Sequence, residues 1–217
     1  MTLEAVVDTE PPNISVADEV AAVVRPGVLA FDEVVVLERD ARLDEPLAQA
    51  AESARTAAEA ADVTAAVRTL YRRVGLDPTK TRPSSEALLR RVRKGDALPR
   101  INSLVDIVNW CSLESQLPFG LYDRAHIHGP VWMRLGREGE EYPGIRKDAV
   151  HVSGRLTLAD DEGPFGNPTS DSARTMVTPA TTSALIVIFA PVGVSASVLE
   201  RALAATSARA RRYAAAS

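Results

Sequence analysis

Residues 98–129 read LPRINSLVDIVNWCSLESQLPFGLYDRAHIHG, and midway through them the spacing of apolar side chains changes. Leu104, Ile107, Val108, Cys111 and Leu113 recur three or four apart, which predicts a helix with Asn102 or Ser103 as its cap. Beyond Leu117 and Pro118 the period falls to two, and FGLYD (119–123) reads as a strand. The windows that follow are short and strand-like: VWMRLG (131–136), AVHVSG (149–154), RLTLAD (155–160) and ALIVIFA (184–190). Gly-containing turns separate them, and Ser153-Gly154 is placed to make a hairpin. The stretch from about Ser195 to Ala214 returns to a helical pattern of Ala and Arg.

Upstream, LDEPLAQAAESARTAAEAADVTAAVRTLYRRVG (43–75) predicts one long helix or two. Pro46 falls in the first turn and Gly75 at the stop. RPSSEALLRRVRKG (82–95) predicts another, capped by Ser84 or Ser85 and ended by Gly95. Nearer the start, Asn13 opens a short strand and a few helical residues. Arg25-Pro26-Gly27 then reads as a turn before a strand over about Val28–Leu37. Residues 1–12, acidic and containing Pro11-Pro12, are expected to be disordered, and 13–217 to form one domain. Helices gathered in the middle and strands gathered later define the α+β class. The expected architecture is a mostly antiparallel sheet, with a partly open barrel as one way of closing it, a helix cluster from mid-chain and a C-terminal helix.

Bulk properties narrow the function classes. The single cysteine, Cys111, rules out an internal disulfide and favours a reducing compartment; on the apolar stripe of its helix it is expected in the core. No apolar run is long enough to span a bilayer, and the acidic opening MTLEAVVDTEPPN lacks the layout of a secretory signal. A cytoplasmic protein without membrane contact is expected. The net charge of −4 conceals a strong asymmetry: residues 1–67 are acidic, whereas 68–100 carry ten basic side chains against three acidic ones. Arg72, Arg73, Arg82, Arg90, Arg91, Arg93 and Lys94 fall in this basic block. It reads either as a face for a polyanion or as a solvated helix surface.

The motif-bearing residues in 98–129 are Arg100, Asn102, Val105, Asp106, Asn109, Pro118, Tyr122, Asp123, Ile127 and Gly129. In that order and spacing the stretch resembles the B3/B4 tRNA-editing module of the phenylalanyl-tRNA synthetase beta chain, and about 68–189 resembles a freestanding member of that family. The resemblance implies hydrolysis of a wrongly attached aminoacyl ester, with the aminoacyl acceptor end of tRNA as partner and the basic block against its backbone. It departs from the synthetase pattern at Gly120, where many editing sites have a His. The segment GNPTSDSART (166–175) also replaces a Gly-rich one of the synthetases. Two other readings stay open, a non-catalytic RNA-binding module and a binding protein for amino acids or related metabolites.

Ester hydrolysis of this kind needs a placed water, a donor for the developing oxyanion and a selective pocket. Asn167-Pro168 reads as the cap and first turn of a short helix whose free N–H groups face the pocket, or the residues of the segment only cap one another in an ordered turn. Thr169, Asp171 and Ser172 are the candidates to hold water or bind the α-amino group, with Arg174 and Thr175 beside them. Arg174 is expected either to steady Asp171 or to meet a phosphate. Asp106 and Asn109 share a helix face, opposite that segment or engaged in fixing a loop. Asn102 extends the line of polar residues or caps the helix, Arg100 is expected at the pocket mouth, and Gly120 completes the substrate-binding set. Asp160, Asp161 and Glu162 read as a solvated acidic turn or as a source of a carboxylate that orients water. His126-x-His128 lacks the third ligand a zinc site needs, so no metal and no cofactor is expected. Trp110 and Trp132 are expected in the core.

Overall fold

A computed structural model describes residues 7–57, 60–146 and 148–215. The hydrophobic face of each predicted element decides where it packs. β1 (Val7–Thr9), β3 (Val24–Asp32), β10 (Ser183–Pro191) and β4 (Phe119–Asp123) form an antiparallel sheet in the order β1-β3-β10-β4. A second sheet, in the order β2-β5-β8-β9, comprises β2 (Ile14–Val16), β5 (Val131–Leu135), β8 (Leu156–Asp160) and β9 (Gly163–Gly166). Its pairings are antiparallel except the parallel one between β2 and β5. β6 (Glu141–Pro143) and β7 (Ala149–His151) make a separate hairpin. The sheets do not close into a barrel.

Among the described residues six α-helices accompany the strands: α1 (Asp18–Ala21), α2 (Asp44–Thr56), α3 (Ala61–Arg73), α4 (Ser84–Arg93), α5 (Ser103–Ser115) and α6 (Ala196–Tyr213). Strand β10 is buried from Ala184 to Pro191 because strands flank it on both sides and helices cover it. Its apolar run therefore has no polar alternation. One continuous core links α3, α4 and α5 with β10, β4 and Phe165 of β9. The mostly antiparallel α+β class with a C-terminal helix holds.

Several local expectations change. Arg25-Pro26-Gly27 lies inside β3 rather than in a turn. Pro26 is tolerated because β1 covers only Ala30–Asp32, so that end of β3 pairs on one side alone. Gly27 allows α6 to lie close: a Cβ there would stand 2.6 Å from Leu199 Cδ1, which would have to shift. β3 ends at Asp32, and Val34–Leu37 continue outside it. Residues 7–9 pair with β3, so the disorder expected for 1–12 does not extend to them; residues 1–6 lie outside the described residues. α4 has Pro83 as its cap, with Ser84 and Ser85 already helical. Ser153-Gly154 makes no hairpin between β7 and β8, since β7 pairs with β6 and β8 with β5 and β9. Trp132 is exposed, because Val131 and Met133 take the buried side of β5; Trp110 is half-buried under the Arg209 guanidinium.

Candidate functional site

The reversal from α5 into β4 opens a cavity of about 330 Å³. One wall is apolar, built from Val105 and Val108 of α5 and Phe119 and Leu121 of β4. The other end is polar, formed by Asn109 and the segment Asn167–Asp171. Ile101, Arg146 and Met176 also line it and are exposed, so they mark its mouth. Its volume lies at the lower end of the ~300–1,000 Å³ range of small-molecule sites.

Asn167–Asp171 forms no helix. Asn167 Oδ1 accepts from the backbone N–H groups of Thr169 and Ser170, at 2.8 and 2.9 Å, closing an Asx turn. Residues 171 and 172 then turn back along β9, as Ser172 N–H donates to the Phe165 carbonyl. The N–H groups expected to be free for a ligand are thus taken by Asn167 itself. Two tyrosines far away in sequence pin the turn: Tyr71 Oη donates to the Pro168 carbonyl at 2.9 Å and Tyr142 Oη to that of Ser170 at 2.6 Å. The main chain of the β6–β7 hairpin adds a third tether, from Ile145 N–H to the Asp171 carbonyl.

Thr169 and Asp171 both line the cavity. Asp171 Oδ1 is shielded from water and has no hydrogen-bond partner. Burial pushes the carboxyl up to about 7, with Tyr122 and the Leu121 N–H opposing the rise. The nearby Tyr122 hydroxyl is itself buried without a partner of good geometry, as is Thr175 Oγ1. Ser84 Oγ, at the start of α4, is another unpartnered hydroxyl on the lining. A carboxyl poised near neutrality with an open acceptor position can take up a cation or a proton. Asn109 adds a carboxamide with no partner among the described residues.

The remaining candidates stand elsewhere. Asp106 faces away from the cavity: Oδ2 accepts from Arg100 Nε at 2.5 Å and Oδ1 from Ile101 N–H at 2.9 Å. Arg100 is not at the mouth either, its guanidinium being held by Asp106, Asp44 and the Asp40 carbonyl. Asn102 caps α5 by accepting from Val105 N–H, while its Nδ2 donates to the Val177 carbonyl; it shapes the wall from behind. Arg174 does not steady Asp171 but forks onto Asp160 at 2.8 and 2.9 Å. Asp160 is accordingly a buried ion-pair partner, its carboxyl held below the usual range against the cost of burial by Arg174 and the His128 and Glu162 N–H groups, while Asp161 and Glu162 are exposed. Ser172 and Thr175 are buried outside the lining.

Gly120 lies beneath the cavity with its neighbour Tyr122. A Cβ on Gly120 would fall 2.1 Å from Tyr122 Oη and 2.5 Å from Cζ, and one on Gly166 2.4 Å from the same hydroxyl. The ring fills the space between the two glycines and meets Phe165 edge-on at 5.0 Å. Tyr122 is fully buried, so it has no free direction in which to yield. Gly120→Ala is expected to lose about 1–3 kcal/mol of stability through overpacking, read as a lower urea midpoint. Adding Tyr122→Phe should not restore it, because Cζ remains too close; full recovery in that double variant would refute this packing.

The basic side chains are exposed at helix ends: Arg72 and Arg73 close α3, and Arg90, Arg91 and Arg93 close α4 with Lys94 following. Arg82 pairs with Glu86 at 3.4 Å, Arg91 donates to the Ala97 carbonyl and Arg93 to that of Ala57. Arg72, Arg73, Arg90 and Lys94 have no ion pair among the described residues. Since Ser84 at the start of α4 lines the cavity, that ten-residue helix carries the chain from the cavity to the basic cluster, about 15 Å along its axis.

Sequence reasoning missed Tyr71, Ser84, Tyr142 and Arg146. The tyrosines occupy ordinary apolar positions of a helix and a strand, where nothing in the local pattern separates a core residue from one that pins a distant turn. Gly144 marks a turn near Arg146, but its placement over the cavity depends on pairing between strands distant in sequence.

With this geometry in view, a family model described as B3/4 domain matches residues 66–215. The phenylalanine–tRNA ligase beta subunit of Paramagnetospirillum magneticum is 32% identical over 90 residues, covering 36% of this chain and 11% of that protein. Its counterpart in Cutibacterium acnes is 31% identical over 106 residues, covering 48% and 12%. The chain thus spans about one-tenth of the length of these curated relatives. An N-terminal fragment of the phenylalanyl-tRNA synthetase beta subunit from Pyrococcus horikoshii aligns at a TM-score of 0.41 and 15% identity, covering 94% of this chain and 52% of that one.

Proposed function

Because the chain belongs to the B3/4 domain family, we propose that it is a trans-acting deacylase that hydrolyses the aminoacyl ester of a mischarged tRNA. The observation that carries this reading is the cavity, apolar on the α5–β4 side and polar at Asn167–Asp171, with an unpartnered carboxyl oxygen on Asp171. An aminoacyl ester presents the matching groups, an α-ammonium next to the ester and a side chain pointing away from both. In this reading the α-ammonium meets Asp171 and draws it into the ionised form. The side chain lies along Val105, Val108, Phe119 and Leu121, where removal from water favours apolar substituents.

The ester carbonyl then faces Asn109, whose carboxamide donates to the developing oxyanion, and Thr169 holds the attacking water. An aminoacyl ester is already activated and has a ribose hydroxyl beside it, so no protein nucleophile is needed. Buried Cys111, whose thiol burial pushes up, takes no part. The exposed cations at the ends of α3 and α4 would meet acceptor-stem phosphates, giving affinity that falls with salt and reads little sequence.

A panel of mischarged tRNAs incubated with the purified protein tests the reading. At least one member should be deacylated above its spontaneous rate, and Asn109→Ala should slow that reaction by about 10²–10³-fold. Spontaneous rates across the whole panel would overturn it.

A further inference from the structure

Arg146 and Asp171 are the charged residues of the cavity lining among the described residues. They occupy opposite situations. The Asp171 carboxyl oxygen is sealed inside, whereas Arg146 is exposed at the mouth, with Ile101 48% exposed and Met176 38% exposed as apolar lips. Arg146 also has a left-handed backbone, with φ of 55°, which a residue bearing a Cβ adopts at a cost and which glycine or asparagine accepts more easily. Its guanidinium has no ion pair or hydrogen bond among the described residues, so no internal contact accounts for a cation there. The β6–β7 hairpin that presents it is anchored to the site: Ile145 N–H donates to the Asp171 carbonyl and Gly144 bridges Ser172.

A pocket with a negative group inside and a cation at its rim fits a ligand with an amine inside and an oxyanion further out. In an aminoacylated RNA end, the group one ribose outward from the ester is the phosphate of the terminal nucleotide. We propose that Arg146 binds that phosphate at the cavity mouth and so positions the terminal nucleoside for hydrolysis, an assignment that rests on the deacylase reading above. A guanidinium suits the task because its planar fork pairs with two phosphate oxygens at once. The same fork would accept the carboxylate of a free amino acid, so the test has to separate the two oxyanions.

Binding of adenosine 5′-monophosphate, adenosine and phenylalanine is measured by NMR titration for the wild type, Arg146→Asn and Arg146→Lys. The wild type should hold the monophosphate roughly ten times more tightly than adenosine. Arg146→Asn should bind the two alike, with Arg146→Lys in between. Asparagine accepts the left-handed backbone, so this variant should melt no lower than the wild type and its loss cannot be ascribed to unfolding. Equal wild-type affinities for the two adenosine ligands would overturn the proposal. So would an Arg146→Asn variant that loses phenylalanine but keeps the monophosphate, since the arginine would then serve a carboxylate.

Hydrolysis of 2′(3′)-O-aminoacyl esters of the same two adenosine ligands separates this proposal from its premise. Faster wild-type turnover of the phosphorylated ester, lost in Arg146→Asn, supports both. Equal turnover removes the role of Arg146 and leaves the deacylase standing. No turnover of either ester, with the monophosphate preference intact, keeps the phosphate site and removes the deacylase.

Discussion

Asp171→Asn should reduce deacylation about 10²-fold while making the protein more stable above neutral pH. The activity loss follows from removing the charge that receives the substrate's ammonium, a buried pairing whose truncation costs about 2–5 kcal/mol. The stability gain follows from where that carboxyl stands without substrate. Its folded-state value of about 7 lies above the ~3.9 of an unfolded aspartate, so the fold favours the protonated acid. The stabilisation that goes with protonation is fully present below about pH 4 and is lost as pH rises through 7, to an upper bound of about 4 kcal/mol.

Asparagine has the shape of the neutral acid and does not titrate. The variant should therefore match the wild type near pH 4 and melt several degrees higher at pH 8, at ~2–4 °C per kcal/mol for a chain of this size. Calorimetric melts across that pH range provide the check. A variant less stable than the wild type at pH 8 would mean that the carboxylate has a partner after all, and the reading of Asp171 as a vacant acceptor would fall.

The second large effect concerns a residue that the sequence left between lining the pocket and fixing a loop, and that the fold placed behind the cavity. Asp106→Ala should cost about 3–5 kcal/mol, the usual result of breaking a buried ion pair from one side. Its side chain is 1% exposed and that of Arg100 17%, so the half-sheltered guanidinium would lose its buried partner and keep only Asp44 and the Asp40 carbonyl. The change also leaves Ile101 N–H without its acceptor. Asp106→Asn keeps an oxygen for Ile101 and should cost less. Urea unfolding would show a lower midpoint at unchanged slope, and an Asp106/Arg100 double-mutant cycle should reveal strong coupling. Additive single losses would remove the pair from the account of what holds the start of α5.

The helix over 103–115 and the C-terminal helix were legible because the apolar period reports the face each buries, and the strand over 119–123, buried along its whole length, because its short apolar run follows Leu117-Pro118. The cap at Asn102 was legible too, since its side chain serves a backbone group three residues on. Asn167 was half-read. The residue does capture nearby N–H groups, but Asn-Pro-Thr is compatible with a helix start and with an Asx turn. Here Tyr71 and Tyr142, 97 and 28 residues from the carbonyls they hold, hold the turn form. Arg174 was misread for a similar reason: Asp171 is three residues away in sequence, but the turn back along β9 brings its guanidinium to Asp160 instead.

The chain's own order thus determined the α+β class, the helix-to-strand change at Pro118, the charge separation and the residue types gathered at 163–178, because these depend on interactions within a few residues. Which of the polar groups share the cavity was decided by tertiary structure alone. A helix face points both ways until something packs against it, and only the assembled sheets turn Asn109 and Asp171 inward, Asp106 and Arg174 into ion pairs, and Arg146 out over the opening.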